Sequence, residues 1–454
     1  MSVSDGISDR VGSITDSDPA MIIGLLAVIY AVYLVAGSII NADPVTNVMS
    51  LTRWIGLFAL GALALNLHWG YTGLFNIGIV AFMGVGVHVA AIVSKQPVTE
   101  GTGTVAGATG GLGLPLPIGM LAGAVAAALF GLVIALPALR LRADYLAIVT
   151  VAVSEIFRLT IRNRRLESAE IGGYFLGFGG GDGLQLDWGS EAELLFDALF
   201  LGGVYDGLVA ALDGVTEVPR TAADRIIYGL ILLVFVLLYY ALLRRMGNSP
   251  FGRVLKAVRE DEEAANSLGK DTNRFKIIVF MVGCGLMGLL GVLWFMNAGG
   301  RGTINHTQFR PTLTFFIWVA LIIGGAGSNT GSVMGGAVFA AVLFRGPRFL
   351  QSVIDELTAA DLGRIARGGL GEAMAPIAGG GSVEVVPLLL YAAAKIQDLQ
   401  LLLMGVVIIY LMHNRPQGLL GHRKEQAAAI SLSRPERRSG GDRAVAADGG
   451  AEDE

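Results

Sequence analysis

Charge is what this chain has least of. Only 15% of its 454 residues are Asp, Glu, Lys or Arg, against about 25% in an average soluble domain. So little polar surface cannot cover globules of this total length, which excludes a string of soluble domains. Cysteine is nearly missing too. The single Cys284 rules out an internal disulfide and any cysteine-based metal cluster. The net charge of −4 is too small to imply a nucleic-acid partner. The five histidines are scattered, with no paired spacing and no carboxylate set beside them, so no metal site is expected. A phosphate-binding GxxxxGK[ST] loop is lacking as well, since Gly269-Lys270 runs into Asp271. The chain is therefore expected to bind no ATP and no other cofactor.

What is present is apolar. Hydrophobic residues make up 53% of the chain, and its mean hydropathy is +0.63. Such a composition calls for a lipid bilayer as solvent. In lipid every backbone group must be satisfied internally, so the expected fold is an all-α, polytopic integral membrane bundle. A crossing needs roughly 20 mostly apolar residues. Ala20–Ile40 is the clearest first span, followed by Val45–Leu67, Gly73–Ser94, Pro115–Leu136 and Tyr145–Thr160. After a gap come Ile226–Leu243 and Ile277–Asn297. Thr312–Phe344 has no charge and is too long for one straight crossing. The stretch Gly324-Gly325-Ala326-Gly327-Ser328-Asn329-Thr330-Gly331 divides it into two Gly-broken segments. Leu399–Met412 is the last, giving about ten transmembrane helices.

Loop basicity sets the orientation. The loop 244–276 is rich in Arg and Lys, and the tail adds Arg415, Arg423 and Lys424, so both read as cytoplasmic. Ten crossings then put the N-terminus inside too, although Arg162, Arg164 and Arg165 fall outside against the rule. The domain expectation is a cytoplasmic N-terminal segment 1–19, a membrane domain 20–421 and a disordered acidic tail 422–454. Two outer insertions, about 161–225 and 346–386, interrupt the membrane domain.

The loop 244–276 carries the sharpest signal. Ser249-Pro250 reads as an N-cap and first helical residue. The helix is expected to run to about Leu268 and stop at Gly269, with Asp271 capping the next one. Arg253, Lys256 and Arg259 share a face, Glu260 opens an acidic block ending at Glu263, and Ala264-Ala265 leave a small, smooth patch. Charge runs are usually solvated faces. Here the small residues and the glycine stop suit a docking helix, with the charges giving register.

The order Glu263-Ala264-Ala265 followed by Gly269 resembles the EAA signature of ABC importer permeases. Further stretches resemble the branched-chain amino acid permeases, the LivH/LivM type, in family order. They are Leu65–Gly78, Leu139–Thr150 with Glu155-Ile156, Ser249–Arg253, Gly324–Gly327 and Arg415–Gly421. The Leu139–Ile156 block is similar to the LivM branch, with Ala143 where that branch has Gly. The resemblance implies a permease subunit of an ABC importer with no catalysis of its own. Its implied partners are a second, LivH-like permease, two cytoplasmic ABC ATPases that use ATP, and an extracytoplasmic solute-binding protein. The implied cargo is leucine, isoleucine or valine, with urea or short-chain amides as the alternative.

Irregular backbone at membrane depth is tolerated only in a protein interior or along a cavity. Asn66, Tyr71, Thr72 and Asn76 surround one glycine-rich break, and Asn329 and Thr330 the other. These side chains either line a path for a polar solute or serve helix packing. Glu155 and Arg158, at i and i+3, are an ion pair or a gating element. A self-contained ion-coupled secondary transporter is the rival from another class, with Glu155 as its one candidate ion ligand.

Overall fold

The computed structural model describes residues 18–98, 109–139, 143–167, 169–171, 174–181, 183–186, 188, 191–216, 220–296, 302–358, 374, 386–396, 400–415 and 417–420. The segment 1–17, the tail from 421 and most of 359–385 lie outside the described residues. Apolar runs broken by glycine, proline and capping residues become helices. In order they are α1 (Asp18–Ile39), α2 (Pro44–Leu65), α3 (Ile79–Ser94), α4 (Leu116–Ala138) and α5 (Ala143–Ile161). A short pair, α6 (Glu191–Ala198) and α7 (Gly202–Thr216), precedes α8 (Arg220–Gly247). Then come α9 (Pro250–Glu260), α10 (Glu262–Ser267), α11 (Thr272–Phe295), α12 (Pro311–Gly324) and α13 (Asn329–Val338). The last are α14 (Gly346–Thr358), α15 (Val386–Ala394) and α16 (Gln400–Asn414). Four three-residue strands form two antiparallel pairs: β1 (Ala169–Ile171) with β2 (Tyr174–Leu176), and β3 (Leu184–Leu186) with β4 (Gly302–Ile304).

Among the described residues six helical stretches are long and apolar enough to cross a membrane: Ala20–Ile39, Pro44–Gly70, Leu116–Ala138, Ala222–Gly247, Thr272–Phe295 and Asn329–Leu357. Ile79–Ser94, Pro311–Gly324 and Gln400–Asn414 are shorter apolar helices. The fold is the all-α, polytopic membrane bundle expected of the composition. Its outer faces carry exposed aliphatic side chains such as Val35, Leu121, Val133 and Leu237, as a lipid-facing surface requires.

At the centre stands α2, buried from Leu57 to Leu65 and flanked by α8, α12 and α13. Beside it α3, α4 and α11 pack on small residues. A Cβ at Gly86 would lie 2.2 Å from the Gly288 carbonyl oxygen, so α3 and α11 meet backbone to backbone there.

Three expectations need correction. The span expected from Gly73 starts its helix only at Ile79, because Gly73 turns the chain with φ +70° and the Asn76 side chain then captures the Gly78 N–H (2.7 Å). The second insertion does not begin at 346. A π-turn over Phe339–Arg345 carries α13 directly into α14, and Tyr33 OH donates to the Ala341 carbonyl in that turn (2.6 Å). The first insertion contains the pair α6–α7, and α8 begins at Arg220 rather than Ile226.

Candidate functional site

Two breaks in the helices meet at one end of the bundle. In the first, α2 passes into a π-turn over Asn66–Gly70 and then into the irregular stretch 73–78. In the second, α12 stops at Gly324, and Gly325 (φ +104°) and Gly327 (φ +94°) turn the chain before α13. Only glycine holds that backbone without strain. Ser328 restarts the helix by accepting from the Gly331 N–H (3.0 Å). A Cβ at Gly70 would lie 2.7 Å from the Gly327 nitrogen, so the breaks touch through their backbones. The segment 417–420 closes over the second break. Leu419 N–H donates to the Ile323 carbonyl (2.9 Å) and Leu420 N–H to that of Gly324 (3.1 Å). Those carbonyls are left over where a helix stops.

The polar residues expected at the breaks join them. Asn66 donates through Nδ2 to Asn329 Oδ1 (3.1 Å) and accepts through Oδ1 from the Gly327 N–H (2.8 Å). Asn329 Nδ2 donates to the Tyr71 hydroxyl (2.8 Å). These three side chains form one buried chain of bonds between the breaks. Thr330 shares a bond with the Tyr240 hydroxyl on α8 (3.0 Å). Thr72 stays apart and donates to its own helix at the His68 carbonyl (2.5 Å).

Asn76 belongs to a second cluster, around a residue that the sequence reading passed over. His68 stacks on Phe280, 5.0 Å between ring centroids, and its Nε2 lies 3.2 Å from the Phe280 carbonyl. A carbonyl only accepts, so Nε2 carries the proton and Nδ1 accepts from Asn76 Nδ2 (3.2 Å). The Asn76 carbonyl accepts from the Trp318 indole (3.1 Å).

Trp318 is also missing from the sequence expectations. With Trp69, Phe75, Ile322 and Arg259 it lines a cavity of about 460 Å³ between the two breaks. Phe75 meets the Trp318 ring edge-on at 4.7 Å and packs tilted against Trp69 at 5.1 Å. A usable signal was present: Trp69 and Phe75 flank the first break and Trp318 shortly precedes the second.

The loop expected to dock a partner lies beneath these breaks. Ser249 caps α9 by accepting from the Gly252 N–H (3.2 Å). The expected single helix to Leu268 is two helices. Asp261 adopts an extended backbone and caps α10 by accepting from the Ala264 N–H (2.9 Å). An aspartate that can cap competes with continuing a helix, and here it wins. Gly269 has φ +77° and Asp271 caps α11 through the Arg274 N–H (3.1 Å). Glu262 pairs with Lys276 at 2.5 Å, tying α10 to α11.

Arg253, Glu260, Glu263, Ala264 and Gly269 are exposed, Ala265 is buried, and Leu268 is 80% exposed. Arg259 turns the other way, and its guanidinium donates to the Gly70 carbonyl. Its stem passes Gly73, and Lys256 of the same face reaches within 5.8 Å of the Tyr71 ring centroid. Glu155 and Arg158 form a two-point ion pair on α5, with Nε to Oε2 at 2.8 Å, and both are half-buried. Among the described residues no group of three His, Cys, Asp or Glu side chains is placed to hold a metal.

A family model described as the permease component of the branched-chain amino acid transport system matches residues 47–360. The chain is 29% identical over 312 residues to the high-affinity branched-chain amino acid transport system permease protein LivM of Salmonella typhimurium. That match covers 68% of this chain and 64% of the Salmonella protein, just under two thirds of its length. With the LivM protein of Escherichia coli the identity is 28% over 342 residues, 75% of this chain and 71% of that one. A probable LivM permease of Methanocaldococcus jannaschii is 28% identical over 301 residues, 62% of this chain and 76% of that one. No solved structure matches.

Proposed function

The chain belongs to the family of branched-chain amino acid transport system permease components, and on that premise we propose that it is one permease of an ATP-driven importer. Its work is transport, with ATP hydrolysis on partner subunits. The partners are a second, LivH-like permease, two cytoplasmic ABC ATPases and an extracytoplasmic solute-binding protein. The α9–α10 loop faces the cytoplasm, as do both termini. The cargo is leucine, isoleucine or valine.

One observation carries this reading. The exposed loop that resembles a coupling loop is bonded to the first break through Arg259 and the Gly70 carbonyl. Its other side offers Glu263, Ala264 and the exposed Leu268 to a partner. A push on α9 therefore reaches the π-turn through one charge-assisted bond. Alternating access follows when the ATPases close, α9 moves, and the joined breaks move with it.

Co-purification tests this. The chain is expressed with its genomic neighbours and isolated gently, and ATP hydrolysis and bound subunits are measured. The reading expects an ATPase and a second permease to come along, and both to drive leucine uptake. Leucine uptake by the chain alone, driven by an ion gradient, would overturn it in favour of a secondary transporter. Glu155 would then be the first carboxylate to replace.

A further inference from the structure

The cavity between the breaks has a chemistry of its own. Its walls are aromatic and aliphatic: Trp69, Phe75, Phe315, Trp318 and Ile322. Arg259 is the cation among its lining residues. The Trp318 indole N–H is spent on the Asn76 carbonyl, so the ring adds no free donor to the cavity. Phe315 and Met412, beside the opening, are both about half exposed.

We propose that this cavity is the chain's half of the cargo site. The aliphatic side chain of a free amino acid lies against Trp318 and Ile322, and its carboxylate meets Arg259. This rests on the importer reading above. The second permease closes the open side, at Phe315 and Met412.

The chemistry selects the occupant. A branched aliphatic side chain fills an apolar wall without burying a polar group of its own, while the α-ammonium stays at the open side, away from Arg259. Its carboxylate is an anion for a guanidinium that keeps further N–H donors beyond the one at Gly70. Urea and small amides have neither part, so they would leave both the wall and the cation uncovered. Arg259 also gives the site its switch. It is carried by α9, the helix that the ATPases are proposed to move, so the cation leaves the cargo when α9 leaves the breaks.

The test uses the whole importer in proteoliposomes, with the same solute-binding protein throughout, so that any change in cargo preference arises in the permease. Uptake of leucine and of valine is measured as kcat/KM. Ile322→Phe narrows the apolar wall and is expected to lower the leucine-to-valine ratio about tenfold, the usual effect of one or two carbons in an apolar pocket. Phe315→Ala, at an exposed position that leaves the core untouched, widens the wall and is expected to raise the ratio several-fold. A variant that merely weakens the fold lowers both cargoes together. An unchanged ratio in both variants, with wild-type uptake intact, would overturn the cargo site and leave the importer reading standing. ATP-independent uptake by the wild type would overturn the importer reading instead.

Discussion

Asn66 has no water to fall back on. Its amide is fully buried and divides itself between the Gly327 N–H and Asn329 Oδ1. Replacement by Leu keeps most of the volume and strands both partners in the interior. A buried polar group left unpaired costs about 1–3 kcal/mol, so Asn66→Leu is expected to lower the thermal midpoint of the solubilised chain. An unchanged midpoint would mean that the breaks hold together without this amide. Asp43 makes a simpler case at the start of α2. Its carboxylate accepts from the Thr46 N–H (2.7 Å), and the hydrogen bonds from Thr46 hold its pKa below the usual carboxylate value. The folded pKa lies below the unfolded one, so the cap's contribution is complete above about pH 4 and fades as pH falls through the folded value. Asp43→Ala is expected to cost about 1 kcal/mol at neutral pH, and the difference from wild type should shrink in acid. A difference that grows in acid would contradict the capping role.

Helix ends were far more readable from sequence than helix partners. Ser249-Pro250, Gly269 and Asp271 act on backbone within three residues of themselves, and each does in the structure what its residue type implies. The exception, Asp261, lay inside a run of acidic residues where a cap and a helical position look alike. Removing it tests the local account. Asp261→Ala takes away the acceptor for the Ala264 N–H, worth about 1 kcal/mol. Amide exchange across α10 is then expected to quicken about fivefold, and an unchanged rate would assign the break to another cause. Polar residues at the two breaks were legible, because glycine runs at membrane depth ask for them. Their pairing was not: Asn66 and Asn329 stand 263 positions apart. The nearness of Trp69, Phe75 and Trp318 to the breaks was legible, but that their rings meet around one cavity was not, because that depends on how α2 and α12 pack together.

At the scale of the whole molecule, the proposed coupling role implies separable work for the loop's two faces. The exposed face presents the side chains of Glu263, Ala264 and Leu268 outward, where a partner can reach them. The inward face, through Arg259, reaches the breaks. Docking and transmission should therefore fail independently. Glu263→Lys reverses the charge on the outer face, and Gly269→Pro forbids the φ of +77° that ends α10. Both are expected to lose the co-purifying ATPase while the chain stays in the membrane. Arg259→Gln keeps the outer face intact but exchanges a charge-assisted bond for a neutral one. Such bonds differ by about 1–2 kcal/mol, and the substitution also removes the cation proposed for the cargo carboxylate, so transport per ATP hydrolysed is expected to fall at least about tenfold with the ATPase still bound. Measuring bound ATPase, hydrolysis and leucine uptake on the same three preparations separates the cases. Loss of ATPase binding in Arg259→Gln would place that residue in the docking surface. Full transport in Glu263→Lys and Gly269→Pro would remove the loop from coupling altogether, leaving the joined breaks to be moved by some other part of the chain.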